Sequence, residues 1–253
     1  MGATAEIAAG PKTLLLTGAS RGIGHATVKR FSAAGWRVIT ISRQPFSERC
    51  PWSHGKENHL QMDLADPEQI ERGLQELKRR LPDGKLHALV NNAGISPKMP
   101  DGSRMDTLHT DLQTWWHVFH VNLFSTIALA RGLFGELSAA GGSIVNVTSI
   151  AGKRAHPFAG PAYATSKAAL GALTRELANE FAPFGIRVNA VSPGEVATSI
   201  LSPGTEDIVE RAVPMKRLGT IGEVAEVIFF LCSEAASYVT GAEIPIDGGQ
   251  QVR

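Results

Sequence analysis

Apolar residues in this chain fall in short runs that alternate with longer amphipathic stretches. KTLLLT at 12–17 is bounded by Pro11 and Gly18, as a buried parallel strand should be. GASRGIG and HATVKRFSAAG follow, with Ile23, Ala26, Phe31 and Ala34 at roughly helical spacing and Gly35 as a stop. WRVITIS at 36–42 reads as a second strand, 43–56 as a polar loop and HLQM at 59–62 as a third strand. Asp66 is placed to cap a helix with Pro67 at its first position and Ile70, Leu74, Leu77 and Leu81 on one face. LHALV at 86–90 is a fourth strand, and 95–110 is a loop. A long helix is then predicted from about 112 to 139, stopped by Gly141-Gly142. Strands at 143–149, 186–192 and 243–247 and helices at about 159–183, 205–212 and 222–233 complete the series.

This alternation predicts an α/β fold: a Rossmann-like, doubly wound parallel sheet of about seven strands with helices on both faces. No repeat or linker interrupts the 253 residues, so a single domain is expected, with 1–11 as a flexible extension. Residues 195–216, with Pro203-Gly204 and Pro214, are expected to form a lid over the site.

Composition narrows the partners. A net charge of +1 gives no reason to expect nucleic acid. No apolar run approaches the ~20 residues that span a bilayer. MGATAEIAAGPK has neither a basic n-region nor a long apolar h-region, and a cytoplasmic location is expected. Cys50 and Cys232 cannot make a disulfide framework. Asn146-Val147-Thr148 has the form of a glycosylation sequon but lies in a β-like run, and is not read as a modification site.

The candidate chemistry begins at the first turn. Gly18, Gly22 and Gly24, with Ser20, Arg21 and Ile23 among them, follow the first strand and open the first helix. Glycines there let the backbone approach a pyrophosphate, and the helix N-terminus supplies amide donors. An NAD site usually carries an acid at the end of the second strand; here Ser42 and Arg43 stand there, and no Asp or Glu occurs between Glu6 and Glu48. Arg21 and Arg43 suit a 2′-phosphate, so NADP is favoured over NAD, which stays open. Further along, Tyr163 and Lys167 are one helical turn apart. A neighbouring cation stabilises a phenolate and lowers its pKa from about 10. Ser149, arriving from the fifth strand, would hold a substrate oxygen beside the phenol.

With these pieces in order, the chain resembles the short-chain dehydrogenase/reductase family across essentially its whole length. The matching motifs are Thr17-Gly18-Ala19-Ser20-Arg21-Gly22-Ile23-Gly24, Asp63-Leu64, Asn91-Asn92-Ala93-Gly94, Asn122, Ser149, Tyr163-Ala164-Thr165-Ser166-Lys167 and Pro193-Gly194-x-x-x-Thr198. The resemblance implies that Tyr163 is the general acid/base, that Lys167 depresses its pKa and binds the nicotinamide ribose, and that Ser149 polarises the carbonyl. It implies that Asn122 holds a water linking Lys167 to a proton relay; a helix-interior Asn bonded to backbone is the compatible plain alternative. Asp63 and Leu64 would contact adenine, and Asn91, Ala93 and Gly94 would meet the cofactor near its adenosine end. Pro193, Gly194, Val196 and Thr198 would grip the nicotinamide carboxamide or nearby phosphate. Hydride would pass directly between the nicotinamide and the substrate, with no metal. The gap from Ser149 to Tyr163 is towards the long side for the family, so the 150–160 loop is expected to line the pocket.

His117 and His120 share a spacing that a metal can use but lack accompanying ligands, and no metal site is expected. Lys98, Arg104, Lys153 and Arg154 flank the expected pocket, where a solvated rim is favoured over a role in attracting an anionic substrate. The leading expectation is an NADP-dependent oxidoreductase acting on a small carbonyl or secondary alcohol, built as a homotetramer or homodimer. A 3-oxoacyl-acyl-carrier-protein reductase is one alternative, weakened because 132–142 carries Glu136 and no base, and because Phe184 stands where such reductases commonly carry a basic residue. A non-catalytic dinucleotide-binding sensor or scaffold is another; it would be expected to have lost Ser149, Tyr163 or Lys167.

Overall fold

In the structure, a computed structural model, residues 10–46, 55–81, 83–198, 201 and 204–252 are described. Seven parallel strands among them form one sheet: β1 (Thr13–Thr17), β2 (Arg37–Ser42), β3 (His59–Gln61), β4 (Ala88–Asn91), β5 (Ser143–Val147), β6 (Arg187–Pro193) and β7 (Glu243–Ile246). Their order is β3-β2-β1-β4-β5-β6-β7. Leu15 stands opposite Ile39 on one side and Leu89 on the other, so β1 is central. The chain builds outward from β1 to β3, then returns to start again at β4. Loops leaving adjacent strands at such a reversal part company and leave a crevice at the carboxyl ends.

The helices are α1 (Gly22–Ala33), α2 (Pro67–Arg79), α3 (Leu112–Phe119), α4 (Ser125–Gly132), α5 (Phe134–Ala140), α6 (Pro161–Phe181), α7 (Thr205–Ala212) and α8 (Ile221–Cys232). Side chains alternate across a strand, and this sorts the core into two layers. Leu15, Ile39 and Ile41 pack with Leu74 and Leu77 of α2, Leu129 of α4 and Leu177 of α6. Leu14, Leu16 and Val38 pack on the other face with Phe31 of α1 and Ile228 and Leu231 of α8. Each such side chain contributes on the order of 1.5–3 kcal/mol against the entropy of ordering the chain.

The cap on α2 forms as expected: the Asp66 carboxylate accepts from the amides of Glu68 and Gln69. The long helix does not. Between α3 and α4 the backbone widens into a π-helical turn, His120–Phe124, and α5 is bent away from the Leu112–Gly132 stretch by 61°. The Asn122 side chain explains the first break. It accepts from the Ile95 amide at 2.8 Å and donates to the Ile95 carbonyl at 3.0 Å and the Ser166 hydroxyl at 3.0 Å. Such turns replace regular helix where a side chain is held by something outside it. Among the described residues no single helix is long and apolar enough to cross a membrane, although the bent pair Leu112–Gly132 and Phe134–Ala140 passes by length and composition together. The expected extension at 1–11 and the 43–56 loop lie outside the described residues at 1–9 and 47–54, as do Cys50 and Pro203. Within the expected lid, α7 is helical and Val196 bridges to Gly219.

Candidate active site

One cleft of about 670 Å³ runs across the carboxyl ends of the strands. Its first half is made by backbone. Gly18 has φ +70, and a methyl group there would stand 2.8 Å from the Ala93 Cα. The Thr17 hydroxyl accepts from the amides of Asn92 and Ala93, while the Asn92 side chain donates to the carbonyls of Thr17 at 3.0 Å and Gly18 at 2.9 Å. The loops after β1 and β4 are thus tied edge to edge, leaving the amides at the start of α1 facing the cleft. Gly18, Ser20, Arg21, Gly22 and Ile23 line this half, with Ser42, Arg43, Asp63 and Leu64 beyond β2 and β3 and Ala93 and Gly94 after β4. Pro193, Gly194, Val196 and Thr198 line the cleft after β6.

Three expected site residues do not line it. Gly24 is a packing glycine: a methyl group there would lie 2.2 Å from the Gly18 carbonyl oxygen. Asn91 is buried in β4, where its amide donates to Asn146 at 2.9 Å, and Asn146 in turn donates to Thr174. Neighbouring Asn92 takes the place at the cleft that Asn91 was expected to have. Asn122 stands behind the wall, 1% exposed, with its side chain on the Ile95 backbone. The burial of Asn146 fits its reading as a strand residue.

At the other end, side chains make the surface. Ser149 caps a short 3-10 turn, Ile150–Gly152, accepting from the Ala151 amide at 3.2 Å. Gly152 sits so close to α6 that a methyl group would be 2.7 Å from the Ala168 amide, which fixes the turn against the helix carrying Tyr163 and Lys167. The Ser149 hydroxyl faces the Tyr163 phenol and favours its ionised form. Lys167 is 3% exposed and donates to the Val147 carbonyl at 2.7 Å, 5.8 Å from the centre of the Tyr163 ring. Burial lowers its pKa to about 8.

The expected depression of the Tyr163 pKa is not found. Burial, with a smaller push from the Glu195 carboxylate, holds the phenol above its ordinary value, and the Ser149 hydroxyl opposes this only in part. The Lys167 ammonium is itself desolvated and turned onto Val147, so burial of the phenol outweighs it.

The remaining residues of this end belong to no motif. Lys98 was placed on a solvated rim, yet it lines the cleft and donates to the Phe158 carbonyl; burial lowers its pKa while the charge of Glu195 raises it. Of its rim companions, Lys153 pairs with Glu243 at 3.2 Å and Arg154 donates to the Gln250 carbonyl at 2.7 Å. His156, Phe158 and Ala159 bring the 150–160 loop to the wall, as expected, and Glu195 faces them. His156 Nε2 lies 2.6 Å from Glu195 Oε1, with side-chain exposures of 11% and 8%. No local spacing signals this pair, because its members are 39 residues apart.

The family model described as Enoyl-(Acyl carrier protein) reductase matches residues 18–251. Protein FixR of Bradyrhizobium diazoefficiens is 64% identical over 243 residues, 96% of this chain and 87% of that protein. The 3-oxoacyl-[acyl-carrier-protein] reductase FabG of Aquifex aeolicus is 34% identical over 258 residues, 96% of this chain and 99% of that one. A crystal structure of a short-chain dehydrogenase/reductase family oxidoreductase from Brucella ovis, in complex with a partially ordered NAD, is 60% identical and superposes with a TM-score of 0.81 over 94% of this chain and all of that one (100%). The reversal of strand order, the glycine turn beside it and these likenesses agree: the chain belongs to the short-chain dehydrogenase/reductase family and is an NAD(P)-dependent oxidoreductase.

Proposed function

We propose that this enzyme interconverts a small carbonyl compound and its secondary alcohol, with NADP as the preferred cofactor and Tyr163 as the acid/base. The observation that carries this reading is the convergence of Ser149, Tyr163 and Lys167 on one end of a cleft whose other end is a glycine cradle. The residues present fit a dinucleotide. Gly18 and Gly22 have φ +70 and +57, conformations that side-chain-bearing residues rarely adopt, and they leave backbone open to a pyrophosphate. Asp63 and Leu64 would meet the adenine, and Pro193, Gly194, Val196 and Thr198 the nicotinamide end. When bound, the nicotinamide supplies or accepts a hydride at its C4.

The chain's own residues handle the oxygen and the proton. In reduction the Tyr163 hydroxyl gives its proton to the substrate oxygen, while the Ser149 hydroxyl donates a hydrogen bond to that oxygen and draws charge onto it. The Lys167 ammonium, one turn along α6, compensates the phenolate left behind. Asn122 acts behind the wall, holding the backbone after Gly94 by bonding Ile95. A phenol carries its proton at neutral pH, and burial pushes that of Tyr163 further the same way, so the proton needed in reduction is present on Tyr163.

Arg21 and Arg43 at the adenosine end, with no carboxylate closing β2, support the preference for a 2′-phosphate. A 3-oxoacyl-acyl-carrier-protein reductase is the second reading, favoured by the likeness to FabG of Aquifex aeolicus. It is opposed by α5, which carries Glu136 and no base where an acidic carrier would dock. Exposed Leu112, Trp116 and Phe124 on α3 and the π-turn support self-association of that face in a homotetramer or homodimer.

Oxidation of NADPH and of NADH over a panel of β-ketoacyl thioesters, sugars, cyclic ketones and hydroxyketones tests the reading. NADPH consumption with at least one small carbonyl class is expected, with kcat/KM favouring NADPH by about tenfold or more. Cofactor binding without turnover across the panel would overturn it, and a preference for NADH would reject the cofactor assignment alone.

A further inference from the structure

The His156–Glu195 pair sits at the reacting end of the cleft, and the proton transfer assigned to Ser149, Tyr163 and Lys167 makes no use of it. Its hydrogen bonds define its state. His156 Nδ1 accepts from the Phe158 amide at 3.3 Å, so the ring proton is on Nε2, and Nε2 donates to Glu195 Oε1 at 2.6 Å. An imidazole locked in that tautomer is a fixed donor, and Glu195 is its acceptor. One donor occupies only part of a carboxylate's capacity of about four acceptor sites. Among the described residues lining the cleft the other acid is Asp63, at the adenosine end, so Glu195 is the carboxylate of the reacting end, its charge felt by both Tyr163 and Lys98.

A brace for the turn after β6 is the plainer role for such a pair, and the backbone makes it redundant. The Gly194 amide donates to the Ile246 carbonyl at 3.0 Å, the Gly219 amide to the Glu195 carbonyl at 2.9 Å and the Ala197 amide to the Gly219 carbonyl at 2.9 Å. These bonds fix residues 194–197 whatever side chain stands at 195. Stripping water from a carboxylate in a cleft wall carries a cost that an apolar side chain would avoid. The pair therefore serves something that enters the cleft.

We propose that Glu195 is a specificity residue for the reaction assigned above: it accepts a hydrogen bond from a hydroxyl or ammonium group that the substrate carries beside its reacting carbon, and His156 is the positioning residue that aims it. The substrate is then a hydroxy- or aminocarbonyl compound, or the corresponding diol or amino alcohol, and not a plain aliphatic ketone or a 3-oxoacyl chain. This inference rests on the carbonyl oxidoreductase reading for its chemistry but not for its geometry. A site built to bond a donor rejects the analogue that lacks it far more strongly than a pocket rejects a missing methylene.

The test compares hydroxyketones, aminoketones and their O-methyl or N-acyl analogues of like size in the wild type, Glu195→Gln, His156→Gln and His156→Leu. The readouts are kcat/KM in turnover and, separately, the thermal shift given by the matching diols, amino alcohols and mono-alcohols in the presence of oxidised cofactor. The wild type is expected to favour the hydroxyketone over its methyl ether by about 100-fold or more. Glu195→Gln should cut that ratio to about tenfold or less, with aminoketones losing most because they lose a charge partner. His156→Gln, which can still donate to the carboxylate, should keep most of the ratio, and His156→Leu should lose it. A structural brace would instead lower kcat/KM for every substrate alike and leave the ratio unchanged, and that result would overturn the proposal. If no carbonyl turns over but diols stabilise the wild type and not Glu195→Gln, the binding role stands and the reaction assigned to the site fails. Equal stabilisation of both by diols and mono-alcohols would overturn the proposal without touching that reaction.

Discussion

The two ends of the cleft are built from different materials. At the adenosine end the surface is largely backbone: glycines with positive φ, amides opening α1, and a loop-to-loop clamp through Thr17 and Asn92. At the reacting end it is side chains: Ser149, Tyr163, Lys167, Lys98, His156 and Glu195, brought in from loops and α6. Backbone surfaces change little when a side chain is trimmed, because the donors and acceptors stay. Surfaces of converging side chains have no such reserve. Equal-sized substitutions should therefore have unequal consequences at the two ends, large beside Tyr163 and modest beside the glycines.

The largest effect is expected at Tyr163. Replacing it by Phe keeps the ring and removes the one atom that carries the proton, and should lower kcat by about 10³-fold in single-turnover and steady-state assays. The cofactor dissociation constant should move by less than about threefold, because the phenol contributes little beside the backbone amides. Turnover within tenfold of the wild type would show that another group moves the proton.

What is legible in the sequence divides between local patterns and distant contacts. Seven strands and the cap at Asp66 were legible because strand runs and caps are local patterns. Tyr163 and Lys167 were legible because one helical turn joins them. The break at Asn122 was not: HVNLF has ordinary helical composition, and the cause is a contact with Ile95, 27 residues away. His156 and Glu195 were missed for the same reason, being joined only when the 150–160 loop meets the turn after β6. Asn91, named from the family motif, ends β4 buried on Asn146, while Asn92, the residue after the strand, lines the cleft, a difference that the motif alone does not disclose.

The pH profile sharpens the picture of the reacting end. Lys167 titrates at about 8, so its charge is present below that pH and lost above it. For carbonyl reduction, kcat/KM, which reports the free enzyme, should be flat below pH of about 8 and fall by up to tenfold per unit beyond it. The Tyr163 phenol, shifted upward, would also lose its proton at higher pH and must be distinguished. The chain has 2 tyrosines, and Tyr238 is wholly exposed, so Tyr238→Phe leaves Tyr163 as the sole phenol in an ultraviolet titration. Tyr163 should ionise above its ordinary value of 10.0 in the protein without cofactor, well beyond the limb in kcat/KM. Coincidence of the two transitions would assign the limb to the phenol and remove the case for a buried, weakened lysine.

The smallest effect is expected at Arg43, where a side chain lies at the end made of backbone. Arg43 is exposed at the end of β2, and an exposed guanidinium acts on a phosphate through water and through salt. Arg43→Ala should leave NADH kinetics nearly unchanged and lower kcat/KM for NADPH by about tenfold at low ionic strength, less in concentrated salt. Arg21, also exposed and lining the same half, shares the load, so Arg21→Ala with Arg43→Ala should bring the two cofactors to parity or reverse their order. The salt dependence separates this from a disturbance of the glycine cradle, which would weaken both cofactors together and respond little to ionic strength. An unchanged NADPH-to-NADH ratio in the double variant would leave neither arginine with a part in choosing the cofactor.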